Sequence, residues 1–171
     1  AAPPFRSFSR DRLIGLLWPE NETESARHLL SASIHVLRKA LGAESLITSG
    51  DDVGLRAAAA TVDAAEFRNA VSAGDYARAL DLYSGPFLDG FFISGAAEFE
   101  QWIDGERAEY AALQRKALAG LAEQHERAGD AQAALAVWRR LAVADPYSSR
   151  AAIGFMRALA RAGERQARQR A

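Results

Sequence analysis

Thr23–Gly42, TESARHLLSASIHVLRKALG, is the stretch on which the reading of this chain turns. At about 100° per residue it separates into two faces. Ala26, Leu29, Leu30, Ser33, Val36, Leu37, Ala40 and Leu41 fall on one side, with Ile34 at its margin. Glu24, Arg27, His28, Ser31, His35, Arg38 and Lys39 fall on the other. The spacing predicts an amphipathic helix that buries the first face and displays the second to solvent or to a partner. Long donors interleaved with small residues also suit a helix in the DNA major groove, where base edges present acceptors.

The flanks of this helix read as helix, turn, helix, hairpin over residues 9–57. Ser9 can cap a short helix, Asp11–Trp18, with Leu13, Ile14, Leu17 and Trp18 as its buried stripe. Pro19 ends it, since its ring cannot continue helical bonding. Gly42 is a natural left-handed residue after the long helix. Beyond it, Ser45–Thr48 and Val53–Arg56 flank Ser49-Gly-Asp-Asp, which predicts a small β-hairpin.

From Thr61 onward Ala, Leu, Glu and Arg dominate, and helix is predicted almost throughout. Asp63-Ala-Ala-Glu66 has the form of a capping box opening a helix that carries Phe67 and Val71. Gly74, Gly129 and Gly163 each come after an apolar-periodic segment and are read as interhelical turns. Arg127-Ala-Gly-Asp130 and Arg161-Ala-Gly-Glu164 repeat at the period of tetratricopeptide helix pairs. Gly74–Tyr83 aligns with Gly129–Trp138, placing Ala79 and Ala134 where helices meet and Tyr83 and Trp138 in the gap beyond. Asp145-Pro146 closes one helix, and Ser148 or Ser149 caps the next. The last copy fades, with Arg168 and Gln169 where Ala-Leu is expected. Ser84–Gly95, rich in Gly, Pro and large apolar residues, is read as an ordered loop packed onto the helices. Glu98–Ala128 is one long periodic segment carrying Phe99, Trp102, Ile103, Tyr110, Leu113, Leu118 and Leu121.

Composition narrows the classes. Of the 171 residues, 49% are hydrophobic and 25% charged, as in ordinary globular proteins. Cysteine is absent, which removes thiolate catalysis, disulfides and Cys-ligated zinc. No apolar run approaches a membrane span. The opening AAPPFRSF lacks the basic start and apolar core of a signal peptide, so a cytoplasmic protein is expected. The first residue is alanine, and a piece of a longer chain is expected. The formal net charge is −1. Over residues 1–61, Arg6, Arg10, Arg12, Arg27, Arg38, Lys39 and Arg56 balance Asp11, Glu20, Glu22, Glu24, Glu44, Asp51 and Asp52. Any DNA-facing surface must therefore come from placement. The basic end, Arg157–Arg170, reads as a solvated helix terminus.

No enzyme is expected. His28 and His35 share a helical line without a third ligand, so no metal site is assigned. Neither a phosphate loop nor a nucleophile elbow is present, and no cofactor is expected. Trp102, Tyr110 and Trp138 read as core.

Taken in order, these segments resemble one family. Ser9–Pro19 followed by Ala26–Leu30 and Val36–Gly42 looks like the second and third helices of the winged-helix domain in SARP-type bacterial regulators. Val62–Phe67, Tyr83–Phe91, Phe99–Arg107 and Asp145–Ser149 resemble the bacterial transcriptional activator domain that comes after it there. The resemblance implies a mainly α protein. Residues 1–61 would be a partial winged helix-turn-helix with a small β-hairpin, and 62–171 an all-α tetratricopeptide-like repeat domain. Thr23–Gly42 would be the recognition helix and Leu46–Leu55 the wing. Arg27, His28, Ser31, His35, Arg38 and Lys39 would face duplex DNA, with Arg27 reading a guanine, and Arg38 and Lys39 holding phosphates. Ser49 and Gly50 at the wing tip would offer a backbone amide to phosphate. The helical domain would dimerise or contact other proteins, RNA polymerase among them. Family members begin with a β-sheet and a first helix that this sequence lacks, so either the chain is a fragment or the remnant leans on the helical domain. The rival reading of the same residues is an interaction scaffold whose winged-helix remnant no longer binds DNA.

Overall fold

The computed structural model describes residues 7–56 and 58–170, with side chains as far as Gly163. Two expectations, those for the chain's opening and for the arginines beyond Gly163, lie partly or wholly outside those described side chains. The elements run β1 (Phe8–Ser9), α1 (Arg10–Leu17), α2 (Thr23–Leu41), β2 (Leu46–Ser49), β3 (Asp52–Leu55), α3 (Asp63–Ala73), α4 (Tyr76–Leu82), α5 (Ala97–Ala128), α6 (Ala131–Ala144) and α7 (Ser149–Arg170). Mainly helical architecture with one small sheet is thus as the sequence indicates. The residues form two compact units. One joins the chain up to Ala65 with Phe87–Arg107; the other joins Glu66–Pro86 with Ala108 onward.

In the first unit the Ser9 hydroxyl caps α1 by accepting from the Arg12 amide at 3.3 Å, an interaction that typically stabilises a helix by about 1 kcal/mol. Phe8-Ser9 also forms a strand too short to announce itself by alternation. It pairs antiparallel with β3, Phe8 opposite Val53, and gives the order β1-β3-β2. β2 and β3 form the expected hairpin, Leu46 opposite Leu55 and Ser49 opposite Asp52, leaving Gly50-Asp51 as its turn. Gly50 has φ 58° at the first central position, where a side chain would be strained. Gly50→Ala should therefore lower stability by about 1–2 kcal/mol, read as a lower urea midpoint with unchanged slope.

α2 spans its predicted length, but it buries a narrower line than its apolar face. Ala26, Leu30 and Ile34 are buried; Leu29, Val36, Leu37 and Leu41 are 40%, 62%, 45% and 42% exposed. The reason lies in its neighbours. Leu30 and Ile34 meet Leu46 and Val53 of the hairpin, with Leu13, Ile14, Trp18 and Leu55 packed against them. These contacts draw burial to one edge of the apolar stripe and place Ile34, the marginal residue, in the core. A second cluster forms around Ala96, Phe99 and Ile103, with Leu17, Ile93 and Trp102 against it. Here α1 meets the first turns of α5, and Phe8 meets Trp102 edge-on at 6.4 Å between ring centres. The start of α5 is thus part of this unit's own core.

The loop between α4 and α5 is ordered by polar bonds more than by burial. Arg107 donates to the carbonyls of Phe87 (3.0 Å) and Leu88 (2.8 Å), and the Ile93 amide donates to Glu100 (3.1 Å). Phe87 stacks edge-on against Trp102. Phe92, by contrast, is 72% exposed, so the loop is not packed onto the helices along its whole length.

In the second unit Phe67 and Val71 of α3 are buried, and Phe67 packs on Tyr83 and Tyr110. Glu66 pairs with Arg78 at 3.1 Å rather than closing a capping box. Arg68 lies over the Tyr110 ring, donates to its hydroxyl at 2.8 Å and pairs with Glu109. Burial works against the Arg68 charge, but these two hydrogen bonds more than offset it and raise its pKa. Ala79 and Ala134 are fully buried where helices approach, as the repeat alignment requires.

Gly74 (φ 75°) and Gly129 (φ 76°) turn the chain, and Asp75 and Asp130 immediately cap the next helices. Gly163 does not turn; α7 continues through it to Arg170. The physical difference lies in the next residues of the sequence. Position 164 holds a glutamate in place of the short capping aspartate, and glutamate is not among the favoured caps. Arginine and glutamine at 168 and 169 stand where a returning helix would need an apolar pair. Ser148 caps α7, its hydroxyl accepting from the Ala151 amide at 3.2 Å.

Candidate nucleic-acid interface

The first unit holds the sequence-predicted site. Once Ala26, Leu30 and Ile34 are committed to the core, helical geometry turns the opposite side of α2 outward. Arg27, His28, Ser31, His35 and Lys39 are exposed. Arg38 is half-buried, and its Nη2 donates to the Thr48 hydroxyl on β2 at 3.4 Å. Its Nε is buried without a hydrogen-bond partner. Arg38 thus braces helix against hairpin and stands partly apart from the outward stripe.

Two depressions meet along α2. Arg10, Asp11, Ile14, Arg27, Leu30, Ser31 and Asp51 line the first; Thr23, Glu24, Arg27, His28 and Ser31 line the second. Arg27 and Ser31 belong to both, so they sit at the centre of the concave surface. The Arg10 amide donates to the Asp51 carbonyl at 2.9 Å, which ties the start of α1 to the turn of the hairpin. Arg10 is a participant that the sequence did not single out. The signal for Arg10 was the strand just before it, which pulls the first residue of α1 against β3.

Ser49 and Gly50 are exposed at the hairpin tip, apart from the residues lining either depression. Charge in the concave surface is mixed. Arg10 and Arg27 face Asp11, Asp51 and Glu24, so the concave surface carries no excess of positive charge, and Lys39 lies outside it. Among the described residues no group of three or more His, Asp or Glu could hold a metal ion. Trp102, Tyr110 and Trp138 are packing residues, with Trp138 only 1% exposed.

Against this geometry, the family model of the bacterial transcriptional activator domain matches residues 53–168. The chain belongs to that family, which is one of transcriptional activator domains and not of enzymes. The match begins within β3 and covers every helix from α3 to α6 and most of α7. No curated protein matches the chain. Among the described residues no helix is long and apolar enough to cross a membrane.

Proposed function

We propose that this chain is the DNA-binding and protein-contacting part of a cytoplasmic bacterial transcription regulator. Residues 1–61 form its partial winged-helix half and 62–171 its helical activator half. The observation that carries the reading is the outward stripe of α2, beside a β-hairpin that Arg38 fixes to it. A helix of this width enters the major groove, and a hairpin alongside reaches the adjacent backbone. Arg27, central and early in α2, reads a guanine edge with two donors. Lys39 near the helix end neutralises phosphate, while His28, Ser31 and His35 line the path between them. Ser49 and Gly50 approach the backbone from the wing. The helical half contacts RNA polymerase or a second copy.

The test is duplex binding by fluorescence anisotropy across a salt series. If Arg10, Arg38 and Lys39 each neutralise one phosphate while Arg27 reads a base, the log–log slope approaches about −2.7. Arg27→Ala should relax discrimination between sequences by about 1–3 kcal/mol. Lys39→Ala should weaken all sequences alike and reduce the slope by about 1. Equal effects of the two substitutions would reverse the role assignment. Asp11, Asp51 and Glu24 in the concave surface favour the rival reading, a protein-interaction scaffold. It predicts no salt-dependent affinity for any duplex.

A further inference from the structure

The α6–α7 pair carries a groove of about 360 Å³ lined by Gln132, Leu135, Ala136 and Arg139 from one helix and Phe155 and Leu159 from the other. Leu135/Arg139 and Phe155/Leu159 are each one turn apart, so the groove runs between two helical ridges, a shape that accepts a third helix. Leu159 is 53% exposed, and Met156, 61% exposed, adds apolar surface beside the groove within the same turn of α7. α7 passes straight through Gly163, so the chain does not fold back over the groove at that point.

Charge decides what fits. Between Ala131 and Gly163 the only carboxylate is Asp145, against Arg139, Arg140, Arg150, Arg157 and Arg161. Asp145 pairs with Arg115, Arg150 with Glu123, and Arg157 and Arg161 with Glu126. Arg139 and Arg140 have no ion pair among the described residues, and both are exposed. The uncompensated charge at the groove is therefore positive. A second copy docking face to face would oppose arginine to arginine, which is unfavourable.

From this geometry we infer that the groove docks an acidic amphipathic helix of a partner protein. Its leucine-like residues insert between Leu135, Phe155 and Leu159, and its carboxylates meet Arg139. The inference rests on the reading of the helical half as the protein-contact module, and it names that partner's chemistry.

The probe is a labelled synthetic helix of about 18 residues, roughly five turns, with Leu at helical i, i+3, i+4, i+7 positions and Glu elsewhere. Anisotropy is measured on the full chain. Binding to this peptide is expected, with none to the leucine-scrambled peptide and at least about tenfold weaker binding to the Lys-for-Glu version. Leu159→Asp should cost about tenfold. Arg139→Glu should weaken the acidic peptide about three- to fivefold and strengthen the lysine one. Circular dichroism of both variants verifies folding, and the exposed Arg139→Glu keeps the test alive should Leu159→Asp unfold. Equal binding of the acidic and lysine peptides, or indifference to both substitutions, overturns the proposal. A dimer in sedimentation equilibrium that Leu159→Asp dissolves also overturns it, since a second copy would then be the occupant. Duplex titration of Arg139→Glu should match the parent chain, so this proposal and the DNA reading fail separately.

Discussion

Trp138→Ala should lower the stability of the second unit by about 3–5 kcal/mol. Trp138 is 1% exposed, and its indole N–H donates to Glu126 at 3.1 Å. Its ring also rests on α7 where Gly154 leaves room; a Cβ there would come within about 2.5 Å of the ring. Truncation removes that packing and takes a hydrogen-bond partner from Glu126, whose side chain is 14% exposed. Glu126 keeps Arg157 and Arg161 as partners, at 3.2 and 3.5 Å. The loss is therefore mainly of packing. Thermal unfolding followed by circular dichroism should show a midpoint lower by on the order of 10 °C. Trp138→Phe, which keeps most of the volume but loses the N–H, should recover more than half of that drop. Recovery by a polar residue and not by Phe would contradict the assignment.

Ending the chain after Ala65 should abolish cooperative folding of the first unit. Such a fragment retains the cluster of Leu30, Ile34, Leu46 and Val53. It loses Ala96, Phe99 and Ile103, against which Leu17 packs, and Trp102, against which Phe8 packs. A domain of about 60 residues is marginal even with its full core, and this one would keep a single small cluster. Urea titration should give a broad, non-sigmoidal change in helical signal, whereas the longer chain unfolds in a defined transition. A sharp transition for the shorter fragment would show that the contacts with Phe87–Arg107 are dispensable. Adding residues 87–107 back through a flexible linker should restore the transition.

How much of this could be read in advance depends on how local each signal is. α2 and its C-terminal Gly42, the Ser9 cap and the hairpin rest on neighbouring residues, and the sequence displays them openly. Periodicity also separates apolar from polar positions of α2. It does not say which apolar positions are covered, because that depends on where Leu46 and Val53 arrive from later in the chain. β1 escaped because two residues cannot alternate. Gly163 carried the same signal as Gly74 and Gly129, and what differs is the capping residue after it and the polar pair at 168 and 169. Gly120 and Gly154, one repeat apart, meet the rings of Tyr76 and Trp138, a pairing that no local pattern announces. Of the candidate interface, the outward stripe was legible; Arg10 was not, since it joins through a long-range backbone bond to Asp51.

The interleaved units impose an order on biosynthesis. The segment from β1 to β3 is made before α3 and α4, yet the residues that finish its hydrophobic contacts, up to Arg107, emerge after them. At about 5–20 residues per second, nascent α1 waits seconds for its companion, with Leu17 and Phe8 uncovered meanwhile. That interval is when a chaperone would find the chain, and when slow translation between Ala65 and Arg107 would lower the yield of folded protein.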